Sequence, residues 1–101
     1  MWLFVLFDLP VGTESDRKAY TRFRNGLLDD GFAMLQYSVY MRHCASKESL
    51  DVHTRRVRSI LPNQGHVAIL HVTDRQFGAM EHLWGKSKKE TPKAPCQLEF
   101  F

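Results

Sequence analysis

The sequence has 101 residues, of which 44% are hydrophobic and 25% are charged, and its net charge is +3. This length leaves room for one hydrophobic core, and the composition is that of an ordinary globular protein and excludes a disordered chain. No apolar run approaches the about 20 residues of a membrane-spanning helix, so we expect a cytoplasmic protein with no membrane partner.

The first predicted element is a strand that ends at an acidic residue. Residues Trp2–Phe7 form a continuous apolar run rich in β-forming side chains, which is typical of a buried central strand. No basic segment precedes this run and Asp8 interrupts it, so we expect a strand rather than a signal peptide. A proline and a glycine within Leu9–Gly12 then predict a loop.

A helix is predicted next. Ser15, followed by Asp16, predicts its N-terminal cap, and Gly31 predicts a left-handed stop after about Asp30. The apolar stripe of this helix consists of Tyr20, Phe23, Leu27 and Leu28.

The segment after this helix predicts a pair of strands. Phe32–Cys44 is rich in β-branched and aromatic residues, and its length favours two short strands joined by a tight turn near Gln36–Ser38. We interpret Tyr37 and Tyr40 as sheet-packing residues.

A second helix and a fourth strand follow. Ser46 predicts the start of the helix and Pro62–Gly65 its end, while His66–Thr73 predicts the strand. The apolar stripe of the helix consists of Leu50, His53, Val57, Ile60 and Leu61. Because His53 lies within that stripe, we expect it to be packed rather than catalytic.

This order, β-α-β-β-α-β, is the ferredoxin-like α+β plan, a four-stranded antiparallel sheet with both helices on one face. We assign it to residues 1–85, including a short amphipathic helix within Arg75–Gly85. Residues 86–101 are predicted to be a basic connector and a strand, Gln97–Phe101, which has no partner left in its own sheet. Such a strand often adds to the sheet edge of a second molecule.

Asp8 is the first candidate for chemistry, because a carboxylate directly after a buried strand lies at the rim of the sheet, close to solvent. One interpretation is a cap for the turn at Leu9–Gly12. The other is a Mg²⁺ ligand. Magnesium is commonly held by one or two carboxylates with waters and phosphate oxygens, so a two-fold axis beside Asp8 would complete the site with a second copy. Spacing alone leaves both interpretations open.

Basic residues cluster on the first helix. Arg17 and Lys18 lie in its opening turn, and Arg22 and Arg24 lie further along. Cations at a helix N-terminus oppose its dipole, so this cluster has an electrostatic cost that phosphate binding would offset. The alternative is a merely solvated face.

The other reactive side chains form no recognisable site. No role is assigned to four histidines that lack metal or triad spacing, namely His43, His66, His71 and His82. Cys44 and Cys96 form no CxxC pair and are interpreted as reduced thiols. The absence of a Walker loop and of aromatic RNA-recognition motifs argues against nucleotide hydrolysis and against an RNA-recognition domain.

Several segments together resemble one family. Val5–Pro10 is similar to the strand-and-aspartate signature of CRISPR-associated protein 2, and Arg17–Tyr20 is similar to the start of that family's first helix. Gly31–Tyr40 resembles its second signature. Val72–Phe77 resembles the version found beside RNA-guided (type II) nucleases, and Leu98–Phe101 the closing segment. The resemblance covers nearly the whole chain in order.

This resemblance implies a ferredoxin-like homodimer with exchanged C-terminal strands. It implies that Asp8 of each subunit faces across the two-fold axis and holds Mg²⁺ or Mn²⁺. It also implies a role in spacer acquisition, in which the dimer bridges two dimers of the CRISPR integrase (CRISPR-associated protein 1) and binds prespacer duplex DNA. Phosphate contacts would then come from basic residues, predicted to be Arg17, Lys18, Arg22, Arg24 and Arg42.

The same resemblance implies an alternative function, because some members of the family are described as metal-dependent endonucleases that act on RNA or DNA. Asp8 would then be the catalytic residue, with metal held by the paired carboxylates. An RNA-cleaving toxin relative with the same fold is a third, less favoured hypothesis. The loop between Asp8 and Arg17 is longer than the family pattern, so the basic positions are approximate matches.

Overall fold

The computed structural model describes residues 1–86 of the chain. The predicted terminal strand, nearly all of the basic connector and Cys96 lie outside these residues. The elements in chain order are β1 (Trp2–Asp8), α1 (Glu14–Asp29), β2 (Ala33–Gln36), β3 (Val39–His43), α2 (Lys47–Ser59), β4 (His66–Val72) and α3 (Asp74–Gly78). Within residues 1–86, no helix is both long and apolar enough to span a membrane.

The four strands form one antiparallel sheet in the order β2-β3-β1-β4, as the ferredoxin-like prediction requires. The first strand of the chain is therefore central, since β1 pairs with β3 on one side and with β4 on the other. Val5, for example, lies opposite Tyr40 of β3 and Ile69 of β4.

Alternate residues of β1 enter two different cores, because successive side chains of a strand point to opposite faces. Leu3, Val5 and Phe7 pack beneath α1 and α2, with Phe23, Leu27, Leu50 and Val57 contributed by the helices. Trp2 and Phe4 pack on the other face with Met41 and with Phe77 of α3. Both helices therefore cover one face, as predicted, and α3 partly covers the second.

The first helix begins two residues earlier than predicted. The Thr13 hydroxyl accepts a hydrogen bond from the backbone N–H of Asp16, and the Asp16 carboxylate accepts one from the N–H of Thr13. This reciprocal capping box satisfies two otherwise free donors, so Thr13 is the cap and the prediction of Ser15 was wrong. The predicted stop is confirmed, since Gly31 has a φ of 89°.

The predicted pair of strands and the turn between them are confirmed, and Ser38 in that turn has a φ of 65°. Tyr40 is buried, as expected for sheet packing. Tyr37, however, is 85% exposed because it lies in the turn rather than on either strand, so its predicted packing role was wrong.

The predicted helix within Arg75–Gly85 is shorter than expected. α3 ends at Gly78 with Ala79 as its C-terminal cap, and its one buried side chain is Phe77. The predicted apolar stripe fails at Trp84, which lies beyond the helix and is 54% exposed. Gly78 next to the cap explains the early end, because glycine is a poor helix former.

A polar cluster joins the C-terminal end of α1 to α2 and β3. Asp30 accepts a hydrogen bond on its carboxylate from Arg56 Nη1 at 2.7 Å, and its Oδ2 lies 2.7 Å from His53 Nδ1. The Asp30 carbonyl accepts a further hydrogen bond from Arg42 Nη1, also at 2.7 Å. His53 is thus buried on the inner face of α2, as predicted, and its imidazole has a partner.

Candidate nucleic-acid and metal site

Three segments meet at one edge of the sheet. β1 ends at Asp8, β4 begins opposite it at His66, and the β2–β3 turn lies alongside, since the N–H of Phe7 donates to the carbonyl of Ser38 at 3.0 Å. We call this region the Asp8 edge. It brings together residues that are far apart in sequence, and it lies at the end of the central strand, which is paired on both sides.

The Asp8 side chain is exposed at this edge and has no hydrogen-bond or ion-pair partner anywhere in residues 1–86. A carboxylate that capped the turn at Leu9–Gly12 would accept a hydrogen bond from a backbone N–H there. No such bond is present within these residues, so the turn-cap interpretation loses its structural basis. An anchored carboxylate that is open to solvent can instead accept a cation.

One chain alone offers too few ligands for a complete divalent-metal site. Within residues 1–86, no group of three or more histidine, cysteine, aspartate or glutamate side chains is arranged to hold a metal ion. Mg²⁺ can nevertheless bind through one or two carboxylates when waters and phosphate oxygens supply the rest. The residues present therefore fit a metal as half of a site that a second copy would complete.

The loop before β4 approaches the end of β1 very closely. Gly65 has a φ of 100°, and a Cβ atom at this position would lie 2.8 Å from the carbonyl oxygen of Asp8 and 2.6 Å from Leu9 Cδ2. Only glycine combines this backbone conformation with this contact at no steric cost. Gly65 thereby allows His66 to pair with Asp8.

Two of the predicted phosphate-binding residues line a groove that begins directly after Asp8. This groove, of about 320 Å³, lies between the first turns of α1 and the loop that joins α2 to β4, with Lys18 and Arg22 on one wall and Asn63 and Gln64 on the other. Lys18 is 3.9 Å from Glu14, but both side chains are more than 70% exposed, so this pair leaves the ammonium available.

Arg17 lies in the same helical turn and is also exposed. Its Nη1 donates to the carbonyl of Val11 at 3.2 Å, within the loop that leads from Asp8 into α1. The guanidinium keeps further donors for another acceptor, because it carries five N–H groups. Arg17, Lys18 and Arg22 are thus close together, and we refer to them as the α1 cations.

The other two predicted phosphate-binding residues are partly buried and hydrogen-bonded to other parts of the fold. Arg24 Nε donates to the Tyr40 hydroxyl at 2.9 Å, and Arg42 donates to the Asp30 carbonyl from a position beside Gly31. The Nε atom of Arg42 is buried and has no hydrogen-bond partner within the described residues. Neither residue lies with the α1 cations, and contact of either with nucleic acid stays a prediction.

The sequence assigned no role to His66, because no metal or catalytic spacing surrounds it in the chain, but the structure pairs it with Asp8. The signal was available, however, in the predicted topology. In a ferredoxin-like sheet the first and last strands are antiparallel neighbours, so the residue that ends one lies near the residue that begins the other.

A family model and similar named relatives all point to one protein family. The family model described as CRISPR associated protein Cas2 matches residues 1–80. Two relatives bear the name CRISPR-associated endoribonuclease Cas2, and each is 50% identical to the whole of this chain. The one from Flavobacterium psychrophilum is covered over 88% of its own length, and the one from Parvibaculum lavamentivorans over 100%.

A solved structure also resembles the fold. The crystal structure of Streptococcus pyogenes Cas2 at pH 6.5 matches with a TM-score of 0.61 and 20% sequence identity, covering 83% of this chain and 100% of that one. At this identity the likeness is evidence for the fold alone, and it agrees with the four-stranded antiparallel sheet described above.

Proposed function

The chain belongs to the CRISPR-associated protein Cas2 family, and from this premise we propose that it acts in spacer acquisition. In this proposal a homodimer binds prespacer duplex DNA and bridges two dimers of the CRISPR integrase. Family membership supports the bridging role, and the α1 cations support the DNA-binding role.

The observation that carries the DNA-binding proposal is the exposure of Arg17, Lys18 and Arg22 on α1, where Lys18 and Arg22 also line the groove. In a two-fold dimer these residues would be doubled. They would neutralise duplex phosphates without reading base sequence, because the binding comes from counterion release rather than from contacts with base edges.

Removal of two of these charges tests the proposal. We expect the double variant Arg17→Ala/Lys18→Ala to bind duplex DNA more weakly, and log affinity to depend less steeply on log salt, by about 0.9 for each phosphate that the protein no longer neutralises. The matched control is Arg55→Ala/Arg58→Ala, which removes the same charge from exposed positions on α2. Equal salt slopes for the wild type and the Arg17/Lys18 variant would rule out this DNA-binding surface.

A metal-dependent endonuclease is the second candidate, and a specific observation favours it. The Asp8 carboxylate is exposed, unpartnered among residues 1–86 and anchored on the central strand. The names of the relatives suggest RNA as a substrate. A divalent cation, when bound, supplies Lewis-acid stabilisation of the charge that develops on phosphate. The role of Asp8 is to hold that cation at a fixed point.

Substitution of Asp8 distinguishes the two proposed functions. We expect Asp8→Asn to abolish metal-dependent cleavage of RNA or DNA and to leave duplex binding and spacer capture intact. The variant keeps the size of the side chain and removes its charge, so folding should be unaffected. Cleavage that persists in the purified variant would place the activity elsewhere or in a contaminant.

A further inference from the structure

We propose that His66 is a second protein ligand of the metal site at Asp8, so that each chain contributes one oxygen and one nitrogen donor. This inference rests on the metal-binding candidate above and deepens it. It assigns a role to a residue outside the Asp8 signature. It also changes the kind of cation that the Asp8 edge should prefer.

The strand register carries the argument. Asp8 and His66 are direct partners across the antiparallel β1–β4 pair. Partners of this kind project their side chains to the same face of the sheet, with Cβ atoms about 4.5–5.5 Å apart. One cation can contact both side chains at that separation. The next partners on this face are Leu6 and Ala68, so the shared face is the one opposite α1 and α2.

The backbone around His66 is built to maintain this register. Gly65, with its φ of 100°, packs against the carbonyl of Asp8 where a Cβ atom would clash. The pairing of His66 with Asp8 therefore depends on Gly65, which no other amino acid can replace without strain. The backbone that carries the imidazole is thus held in place opposite Asp8 before any metal binds.

The imidazole is also available. His66 is exposed and has no hydrogen-bond or ion-pair partner in residues 1–86. Two other histidines differ, because His53 is bonded to Asp30 and His43 Nε2 lies 3.3 Å from Asp74. His66 is thus placed beside a free carboxylate and has nitrogen atoms to offer.

The ligand set predicts a cation preference. Mg²⁺ binds hard oxygen donors and dehydrates reluctantly, whereas imidazole suits first-row transition ions. A site made only of two Asp8 carboxylates would suit Mg²⁺. With His66 included, two chains supply two carboxylates and two imidazoles, and we expect Mn²⁺ to bind more tightly than Mg²⁺.

The test measures binding rather than cleavage. Mn²⁺ is titrated into the full-length protein, and free Mn²⁺ is followed by electron paramagnetic resonance, with Mg²⁺ as competitor. We expect His66→Ala to weaken Mn²⁺ binding at least about tenfold and to reduce the preference for Mn²⁺ over Mg²⁺. His71→Ala is the matched control, since His71 is an exposed histidine of β4 whose partner, Leu3, points to the opposite face.

The outcomes separate the hypotheses. Loss of Mn²⁺ affinity in His66→Ala but not in His71→Ala supports His66 as a ligand. Unchanged affinity in His66→Ala, with binding abolished in Asp8→Asn, overturns the role of His66 and leaves the Asp8 site standing. If Asp8→Asn also binds Mn²⁺ like the wild type, both the inference and the metal-dependent nuclease fail. The DNA-binding proposal is untouched in every case, because it is tested on α1.

Discussion

Two aspartates at opposite ends of the fold show how the same side chain serves different purposes. Asp30 closes α1, is only 14% exposed, and places both carboxylate oxygens 2.7 Å from partners on α2. Asp8 closes β1, is exposed, and meets no partner in residues 1–86. The first uses its charge to join secondary structures, whereas the second keeps its charge available for something outside the chain.

The electrostatics of the Asp30 cluster agree with this contrast. Burial alone would raise the pKa of Asp30, but hydrogen bonds from His53 and Arg56 outweigh it, so the pKa lies below its ordinary value. A carboxylate with a lowered pKa stabilises the folded state. This difference between a structural and an available carboxylate leads to four predictions.

The largest expected effect is the difference in stability between alanine variants of the two aspartates. Asp30→Ala should lower the free energy of unfolding by about 2–4 kcal/mol, because it leaves the buried His53 without its partner. The ion pair with Arg56 adds little to this loss of stability, because the Arg56 side chain is 60% exposed and solvent screens its charge. Asp8→Ala should change stability by less than about 0.5 kcal/mol. Urea unfolding measures both free energies. Equal losses of stability in the two variants would show that Asp30 is no more important for the fold than Asp8.

The second prediction concerns the backbone that supports the Asp8 edge. Gly65→Ala should destabilise the protein by about 1–3 kcal/mol, since alanine is strained at a φ of 100° and would contact the Asp8 carbonyl. Gly12→Ala is the control, because a Cβ atom there has no neighbour within 4 Å and its φ is not in the left-handed region. Thermal unfolding compares the two. A Gly65 variant as stable as the Gly12 variant would show that the edge tolerates displacement.

The third prediction concerns the start of the helix that Asp30 ends. Thr13→Ala should cost about 1 kcal/mol, because it removes the hydroxyl that accepts from the Asp16 N–H. Ser15→Ala should be nearly neutral, since Ser15 lies inside the first turn and is exposed. Urea unfolding of the two variants distinguishes them. A larger loss of stability in Ser15→Ala than in Thr13→Ala would identify Ser15 as the cap instead.

The smallest effect is a dependence on pH. Because the folded pKa of Asp30 is lowered, its contribution to stability is complete above its unfolded pKa of about 3.8 and is lost as pH falls through the lower folded value. The stability difference between the wild type and Asp30→Asn should therefore shrink as pH falls below about 4. Urea midpoints measured from pH 6 to pH 2 test this, and a constant difference would contradict it.

Local patterns predicted the elements of this fold well. The apolar run of β1, the cap at Ser46 and the left-handed Gly31 are each determined by a few neighbouring residues, and all three are confirmed. The error at the start of α1 arose because two local signals competed. Thr13 and Ser15 are both good caps, and only the reciprocal bond with Asp16 decides between them.

The candidate site was only half predictable. Asp8 was visible from sequence because it interrupts an apolar run, whereas His66 becomes meaningful only through pairing across the sheet. The basic residues show the same limit. Spacing along α1 could not reveal that Arg24 reaches the Tyr40 hydroxyl while Lys18 and Arg22 line a groove. Such assignments depend on tertiary contacts that periodicity does not contain.

The central position of β1 also has a consequence for how the chain folds. Both edges of β1 are paired only when β3 and β4, which lies as far along the chain as Val72, have joined the sheet. Closing such long loops costs entropy before any contact offsets it, so we expect this chain to fold more slowly than a helical bundle, whose contacts are local. The Asp8 edge is complete only when β4 has paired with β1, so we expect it to be among the latest parts of residues 1–86 to form.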